Sequence, residues 1–320
     1  MNILIVRTDK LGDFITTLPA IKVLKNYNPL NKIIVCVAPL NKELASTCSF
    51  IDEVVVDDNS NIFNFANKLR NLHVDCSITM FSNTRVAFAQ FLAGIKLRIA
   101  PATKIAQIFY TKRVKQKRSQ VKMSEFEYNL QLTKELFKDI DLNYKKPVLE
   151  FKDSKIIYEK FCKEFNIEKK VVAFHVGFGG SSDANWTKDE YVLLIKEVLK
   201  KNNYQIVLTF GPDEKELYKE MQEKLKDLNI TFFISTNGLV EFAKLISGFE
   251  YFISTSTGTY HLASAVGVKT ITFFGDSLFA SAKRWKSVGD ENLQQHFMIP
   301  KDTIKREKLF SNILKILEKI

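Results

Sequence analysis

The sequence predicts an α/β protein made of two successive domains, each built on a parallel sheet. Three observations point there. Short apolar runs alternate with amphipathic segments along almost all of the 320 residues, the pattern of strands joined by crossover helices. The alternation pauses at Lys145-Lys146-Pro147 and restarts at Val171. Four of the apolar runs are followed by loops rich in glycine, hydroxyl or carboxylate groups, and open parallel sheets bind ligands beyond the carboxyl ends of their strands.

The first domain, 1–150, opens on a strand over 2–6 with I-L-I-V at its heart. Thr8-Asp9-Lys10-Leu11-Gly12-Asp13 is a tight turn. The apolar spacing of Ile15, Leu18, Ile21, Val23 and Leu24 predicts a helix over 14–26. Pro19 inside it predicts a kink or a fresh start. Strands follow at 33–37 and 53–56 around a short helix at 41–48. A helix at 62–70, a strand at 76–80, a helix at 85–92 and a short strand at 97–99 come next, then a helix over 125–137.

The second domain, 151–302, begins with a helix at 154–166 and a strand at 171–176. A glycine-rich loop leads to a helix over 187–200, opened by Thr187 and Glu190 in capping-box spacing. Strands at 205–210 and 230–234 alternate with helices at 213–228 and 239–247. The stretch 250–275 then gives a strand, the turn Ser254-Thr255-Ser256-Thr257-Gly258-Thr259, a helix over 260–266 stopped by Gly267, and a buried strand over 268–274. An amphipathic helix over 303–319 closes the chain.

Lys and Arg number 47 against 36 Asp and Glu, a formal charge of +11. That suggests an anionic partner. The excess is concentrated: 76–124 contains no acidic residue and ten basic ones, with Lys112-Arg113-Val114-Lys115-Gln116-Lys117-Arg118 the densest part. Aromatic interleaving there is thin, so an anion-facing surface is favoured over a nucleic-acid site. Four scattered cysteines without a C-x-x-C pair read as thiols of a reducing compartment. No signal-peptide pattern opens the chain, and no apolar run approaches the length of a bilayer span. The expectation is a soluble, cytoplasmic protein with at most peripheral membrane contact.

Four strand-end loops are candidate sites. In Thr8 to Asp13, Gly12 lets a ligand approach the backbone, and Asp13 sits at the mouth of the first helix, where by itself it reads as a helix cap. Gly177 to Asp183, with Ser181 and Ser182, leads into a capped helix and suits a diphosphate. In Gly211-Pro212-Asp213-Glu214 a carboxylate could accept from ribose hydroxyls. In the last, Ser256, Thr257 and Gly258 open a helix carrying His261. Walker, dinucleotide-fingerprint, zinc and serine-elbow spacings are absent, so no metal site is expected.

These residues carry a resemblance. I-L-I-V-R-T-D-K-L-G-D-F-I-T-T-L-P-A, the glycine loop ending in Asn185-Trp186-Thr187, G-P-D-E, and S-T-S-T-G-T-Y-H-L-A-S-A-V-G resemble, in order, the motifs of the heptosyltransferases of glycosyltransferase family 9. The resemblance implies a GT-B architecture: two Rossmann-like domains with parallel sheets facing a central cleft, and a last helix, 303–320, returning to the first domain. It implies an inverting, metal-independent transfer without a cofactor. A heptose would pass from ADP-heptose to the Kdo-bearing inner core of lipopolysaccharide or lipooligosaccharide at the inner membrane. Asp13 would be the base. Ser181, Ser182, Glu214, Ser256, Thr257, Gly258 and His261 would hold the nucleotide-sugar donor. Gly12, Lys112 and Arg113 would meet the anionic lipid-linked acceptor.

Two positions depart from the family pattern. Ala184 stands where a lysine is usual, and Ser256 where an aspartate is usual. The alternatives left open are another nucleotide-sugar donor, a nucleotide-sugar epimerase, an inactive transferase, or a non-enzymatic anion-binding module.

Overall fold

The structure, a computed structural model, describes residues 1–178, 184–200 and 202–320. The chain forms two compact units, Met1–Lys145 and Lys146–Ile320. Residues 146–150 belong with the second: the backbone N–H groups of Val148 and Leu149 both donate to the Ala265 carbonyl at 3.0 Å.

The first unit holds six strands: β1 (Asn2–Arg7), β2 (Lys32–Val37), β3 (Glu53–Val56), β4 (Cys76–Thr79), β5 (Leu97–Pro101) and β6 (Lys112–Val114). Every pair is parallel, in the order β3-β2-β1-β4-β5-β6. Ile3 to Ile5 and Ile33 to Val37 have no exposed surface, because helices cover both faces of the sheet and the central strands must be apolar throughout. The helices are α1 (Leu11–Ile15), α2 (Leu18–Tyr27), α3 (Lys42–Thr47), α4 (Ile62–Arg70), α5 (Thr84–Leu92) and α6 (Glu125–Thr133). The expected helix over 14–26 is thus two helices. Pro19 occupies the first turn of α2, where its missing N–H costs nothing. The Thr16 and Thr17 hydroxyls at the break donate to the Asp13 carbonyl at 2.7 and 3.2 Å.

The second unit repeats the plan with β7 (Lys170–His175), β8 (Tyr204–Phe210), β9 (Ile230–Ile234), β10 (Tyr251–Thr255), β11 (Lys269–Gly275) and β12 (Gln294–Ile299), in the order β12-β11-β10-β7-β8-β9. Its helices are α7 (Ser154–Glu164), α8 (Lys188–Leu199), α9 (Lys215–Lys224), α10 (Gly238–Ile246), α11 (Gly258–Ala265), α12 (Ala282–Trp285) and α13 (Thr303–Leu317). The capping box of Thr187 and Glu190 opens α8 as its spacing predicts.

Sequence pattern finds neither β6 nor β12. Each is an outermost strand. β6 has three residues, two of them cationic, and β12 begins Gln-Gln-His. Their own residues leave no apolar run, unlike the edge strands β3 (Glu-Val-Val-Val) and β9 (Ile-Thr-Phe-Phe-Ile), so only backbone pairing defines them.

The closing helix, expected to return to the first domain, packs in the second unit. Ile313 and Leu317 are buried in that unit's core. The Trp186 indole meets Phe273 and Phe310 edge-on at 5.6 and 5.1 Å. The Arg306 guanidinium lies 4.6 Å from the Trp186 ring centre and donates to Glu190 Oε2 at 2.7 Å. Among the described residues no helix is long and apolar enough to cross a membrane.

Candidate active site

Both sheets have the doubly wound order in which the chain runs outward from the first strand and then restarts on its other side. The reversal falls between β1 and β4 in one unit and between β7 and β10 in the other. Loops leaving adjacent strands on opposite sides of the sheet open a crevice there. The sequence therefore delivers the turn after β1 to the first crevice. It delivers the loops after β7 and β10 to the second.

In the first crevice the last residue of β1, Arg7, is buried, with its guanidinium at the centre of a charge cluster. Nε donates to Asp9 Oδ1 at 2.7 Å, Nη2 donates to Asp13 Oδ1, and Nη1 donates to Glu125 Oε1 at 3.3 Å. Glu125, the first residue of α6, also accepts from Arg118 Nη1. Asp13 lies in the first turn of α1, whose N-cap is Lys10, so it is not the cap. Asn129 of α6 donates to the Thr16 carbonyl at 3.1 Å and braces the α1–α2 break. Burial raises the Asp13 carboxyl above its usual range. Arg7 pulls it down, and the Asp9 and Glu125 charges add to the rise. The net direction is upward, because desolvation and two like charges oppose a single cation. A carboxylate fixed through one oxygen, with raised proton affinity, is suited to removing a proton.

In the second crevice the Glu214 carboxylate is set at the ends of β7 and β8. Its Oε2 accepts from the Gly211 N–H at 2.6 Å and lies 3.9 Å from His175 Nε2. A Cβ at Gly177 would fall 1.8 Å from Glu214 Oε1. A side chain at 177 would displace the Glu214 carboxylate from this position. His175 is buried, with Nδ1 3.1 Å from the Thr209 hydroxyl. Burial lowers its pKa, against the pull of Glu214. On the β8 side, between the starts of α8 and α9, an open cavity of about 1120 Å³ is lined by Phe178, Asn185, Thr187, Glu214 and their neighbours. On the β10 side, Thr257 stands at the N-cap position of α11 without a side-chain cap bond, and Gly258 is the helix's first residue. The Thr257 and Thr259 hydroxyls pair at 2.8 Å. The N–H groups of an α-helix's first turn lack intrahelical acceptors and favour an anion.

The sequence signature of glycosyltransferase family 9 (heptosyltransferase) matches residues 62–309. A Haemophilus influenzae protein, itself only provisionally named a glycosyltransferase, is 35% identical over 314 residues, covering 93% of this chain and 89% of its own. The chain belongs to glycosyltransferase family 9. This family 9 chain is also similar to the Campylobacter jejuni lipooligosaccharide heptosyltransferase 2 (serotype O:6), 24% identical over 87% of this chain and 82% of that one. Its fold is GT-B-like. It matches the structure of the E. coli ADP-heptose lps heptosyltransferase II over 100% of both chains, with TM-score 0.78 at 16% identity.

The family 9 fold brings together some of the expected residues and separates others. Gly12 and Asp13 stand in the first crevice. Glu214 in the second unit lies at the end of β8, and Ser256, Thr257 and Gly258 follow β10. Ser181 and Ser182 fall outside the described residues. His261 is 4% exposed, its Nδ1 3.2 Å from the Ser287 hydroxyl, so its ring sits in the protein interior. Lys112 and Arg113 lie on β6, three strand positions from β1 and so about 14 Å away at the usual strand spacing. The Lys112 ammonium donates to the Glu135 carbonyl at 2.6 Å and pairs with Glu135 Oε2 at 2.9 Å. Of the dense basic run, Arg118 is the residue that reaches the Asp13 cluster. Sequence reasoning missed Arg7, Glu125 and His175; it placed Gly177 in the candidate glycine loop but not against Glu214. Arg7 had a legible signal: a charged residue ending an apolar strand must point into the crevice or find buried partners. Glu125 had one too, as the first carboxylate after the acid-free stretch.

Proposed function

We propose that this family 9 enzyme is an inverting transferase that moves a heptose from ADP-heptose to the anionic inner core of a lipopolysaccharide or lipooligosaccharide, without a metal. The observation that carries the reading is the Asp13 carboxylate, held by Arg7 at the first crevice with its proton affinity raised. The printed names of the relatives support the choice of donor and acceptor.

In this mechanism the acceptor hydroxyl gives its proton to Asp13 as its oxygen attacks the anomeric carbon of the donor. The bond from that carbon to the diphosphate oxygen breaks, and ADP leaves with the electron pair. Attack opposite the leaving group inverts the anomeric centre. The first turn of α11, at Thr257 and Gly258, and the hydroxyls of Ser181, Ser182 and Ser256 meet the charge that develops on the diphosphate. Glu214 accepts from the ribose hydroxyls. His261 supports the donor side from within α11, through Ser287. Gly12 leaves room for the acceptor beside Asp13, and Lys112 and Arg113 act only as an outlying positive field toward it.

The test is transfer from ADP-heptose to a Kdo-bearing lipid A acceptor, with and without EDTA, read by ADP release and product mass. Transfer that survives chelation, and that Asp13→Asn abolishes in a folded protein, is expected. Full activity in Asp13→Asn would remove Asp13 as the base. Ala184 and Ser256 favour one further arm: a donor panel. Turnover with a different nucleotide sugar and none with ADP-heptose would replace the donor and keep the mechanism.

A further inference from the structure

Among the described residues the two sheets end on four outer strands, β3, β6, β9 and β12. An outer strand presents unpaired peptide groups to any further strand, and proteins blunt such edges with charge, proline or shortness. β3 begins with Glu53, which pairs with Lys32 at 2.7 Å. β6 is three residues long and carries Lys112 and Arg113. β12 begins Gln-Gln-His. β9 is Ile-Thr-Phe-Phe-Ile, with no charge, proline or glycine.

All five side chains of β9 are half-buried, and they alternate between the two faces of the sheet. On one face the Phe232 ring meets Tyr218 of α9 edge-on at 6.0 Å. On the other, Phe233 meets Phe161 and Phe165, at the end of α7, at 5.2 and 6.2 Å. Neither face is closed at the edge. A cavity of about 690 Å³ lies beside Ile230, Phe232 and Tyr218, and one of about 110 Å³ lies beside Phe233 between α7 and α10. Ile156 of α7, 66% exposed, stands one turn before Lys160, which lines the smaller cavity. The backbone has a definite parity. The Ser235 N–H donates to the Phe210 carbonyl at 2.9 Å, so Thr231, Phe233 and Ser235 turn their peptide groups toward β8. Peptide direction alternates along a strand, so Ile230, Phe232 and Ile234 turn theirs outward.

We propose that this edge pairs with the same edge of a second copy of the chain, the two β9 strands running antiparallel about a two-fold axis at Phe232. The two six-stranded sheets then continue as one of twelve. Phe232 faces Phe232 of the partner subunit, and Ile230 faces Ile234 of the partner subunit. Each outward residue exchanges both of its backbone bonds. Charge selects this occupant. Lys160, Glu164 and Glu241 border one cavity, and Glu168 and Lys169 border the other. Each flank offers both signs, which a two-fold can set against one another, while a polyanion would meet no net positive field there. A five-residue ladder covers less than the roughly 1,000 Å² of a specific interface, so the α7 helices, with Ile156, complete the contact. The joint lies two strands from β7, clear of the crevice beside it.

The experiment is sedimentation velocity of the full chain at concentrations up to about 100 μM, where a dimer with a Kd near 10 μM is mostly formed. Wild type should move from monomer to dimer across the series. Thr231→Lys places an ammonium against Phe233 of the partner subunit, and Ile234→Pro removes an outward N–H without touching the bonds to β8. Each should raise the dimer Kd about tenfold or more with an unchanged thermal midpoint; if the proline variant unfolds, the lysine variant decides. Phe232→Cys should give a disulfide-linked dimer on mild oxidation, and wild type should not. A wild type that stays monomeric would overturn the proposal. So would a dimer that the folded lysine variant leaves intact, or one that Phe232→Cys does not cross-link. No turnover is read, so the outcome is separate from that of the transferase reading.

Discussion

Arg7→Lys tests whether a single guanidinium organises the first crevice. Arg7 uses three different nitrogens for three carboxylates: Nε for Asp9, Nη2 for Asp13 and Nη1 for Glu125. A lysine keeps the charge but has one nitrogen on a round ammonium, which cannot face three partners set around a planar fork. One or two of the three bonds must go. At about 1.5–3 kcal/mol for each bond to a charged group, the loss is roughly 2–6 kcal/mol. Total stability for a domain is about 5–15 kcal/mol, so the fold should survive, weakened. Arg7 is also the cation that pulls the Asp13 carboxyl down against burial. Loosening it lets the pKa climb. The acidic limb of the kcat/KM profile should therefore move to higher pH, and kcat should fall as Asp13 loses its fixed orientation. Urea unfolding gives the first quantity and a pH series of transfer rates gives the second. Wild-type stability together with an unmoved acidic limb would refute the reasoning, since it would mean that the three contacts neither hold nor tune Asp13.

Asp13→Asn should stabilise the protein at neutral pH while it removes turnover. A carboxyl whose folded pKa is raised contributes most below its ordinary value of 3.8 and costs stability as pH rises through the folded value; urea midpoints of wild type and variant should differ at pH 7.5 and converge near pH 3. Gly177→Ala should displace Glu214, because its Cβ would sit 1.8 Å from Glu214 Oε1. Loss of a charged donor contact worth about 1.5–3 kcal/mol would raise the donor KM roughly ten- to a hundredfold with kcat little changed, and steady-state kinetics with varied donor would show it. Burial lowers His261 to about 3 and His296 to about 4. Their contribution should be intact above pH 6.5 and drain away as pH falls toward those values; thermal midpoints from pH 7.5 to 4.5 should drop less steeply in His261→Asn.

The sequence by itself determined the α/β class and ten of the twelve strands among the described residues, and it named four candidate strand-end loops. These are local properties. An apolar run bounded by turn residues reports a buried strand wherever it lies, and Thr187 marks a helix start through its own side-chain capping bond. The order of the motifs added the family. Tertiary structure alone decided which charges meet. Arg7 and Glu125 are 118 positions apart, and only the packing of α6 beside the end of β1 joins them. The acid-free run read as one basic surface. Folding instead divides it into Arg118 at the Asp13 cluster, Lys112 bound to Glu135, Lys104 over the Phe81 ring and Arg113 on the Tyr110 carbonyl. Strands β6 and β12 also needed the fold, because their polar residues leave only their neighbours' hydrogen bonds to define them. Burial set the Asp13 proton affinity, and no reading of the residues around position 13 could supply that. Glu125 at the start of α6 and Arg118 at the far end of the acid-free stretch reach the Asp13 cluster only because a chain that passes through five other strands brings them to the end of β1.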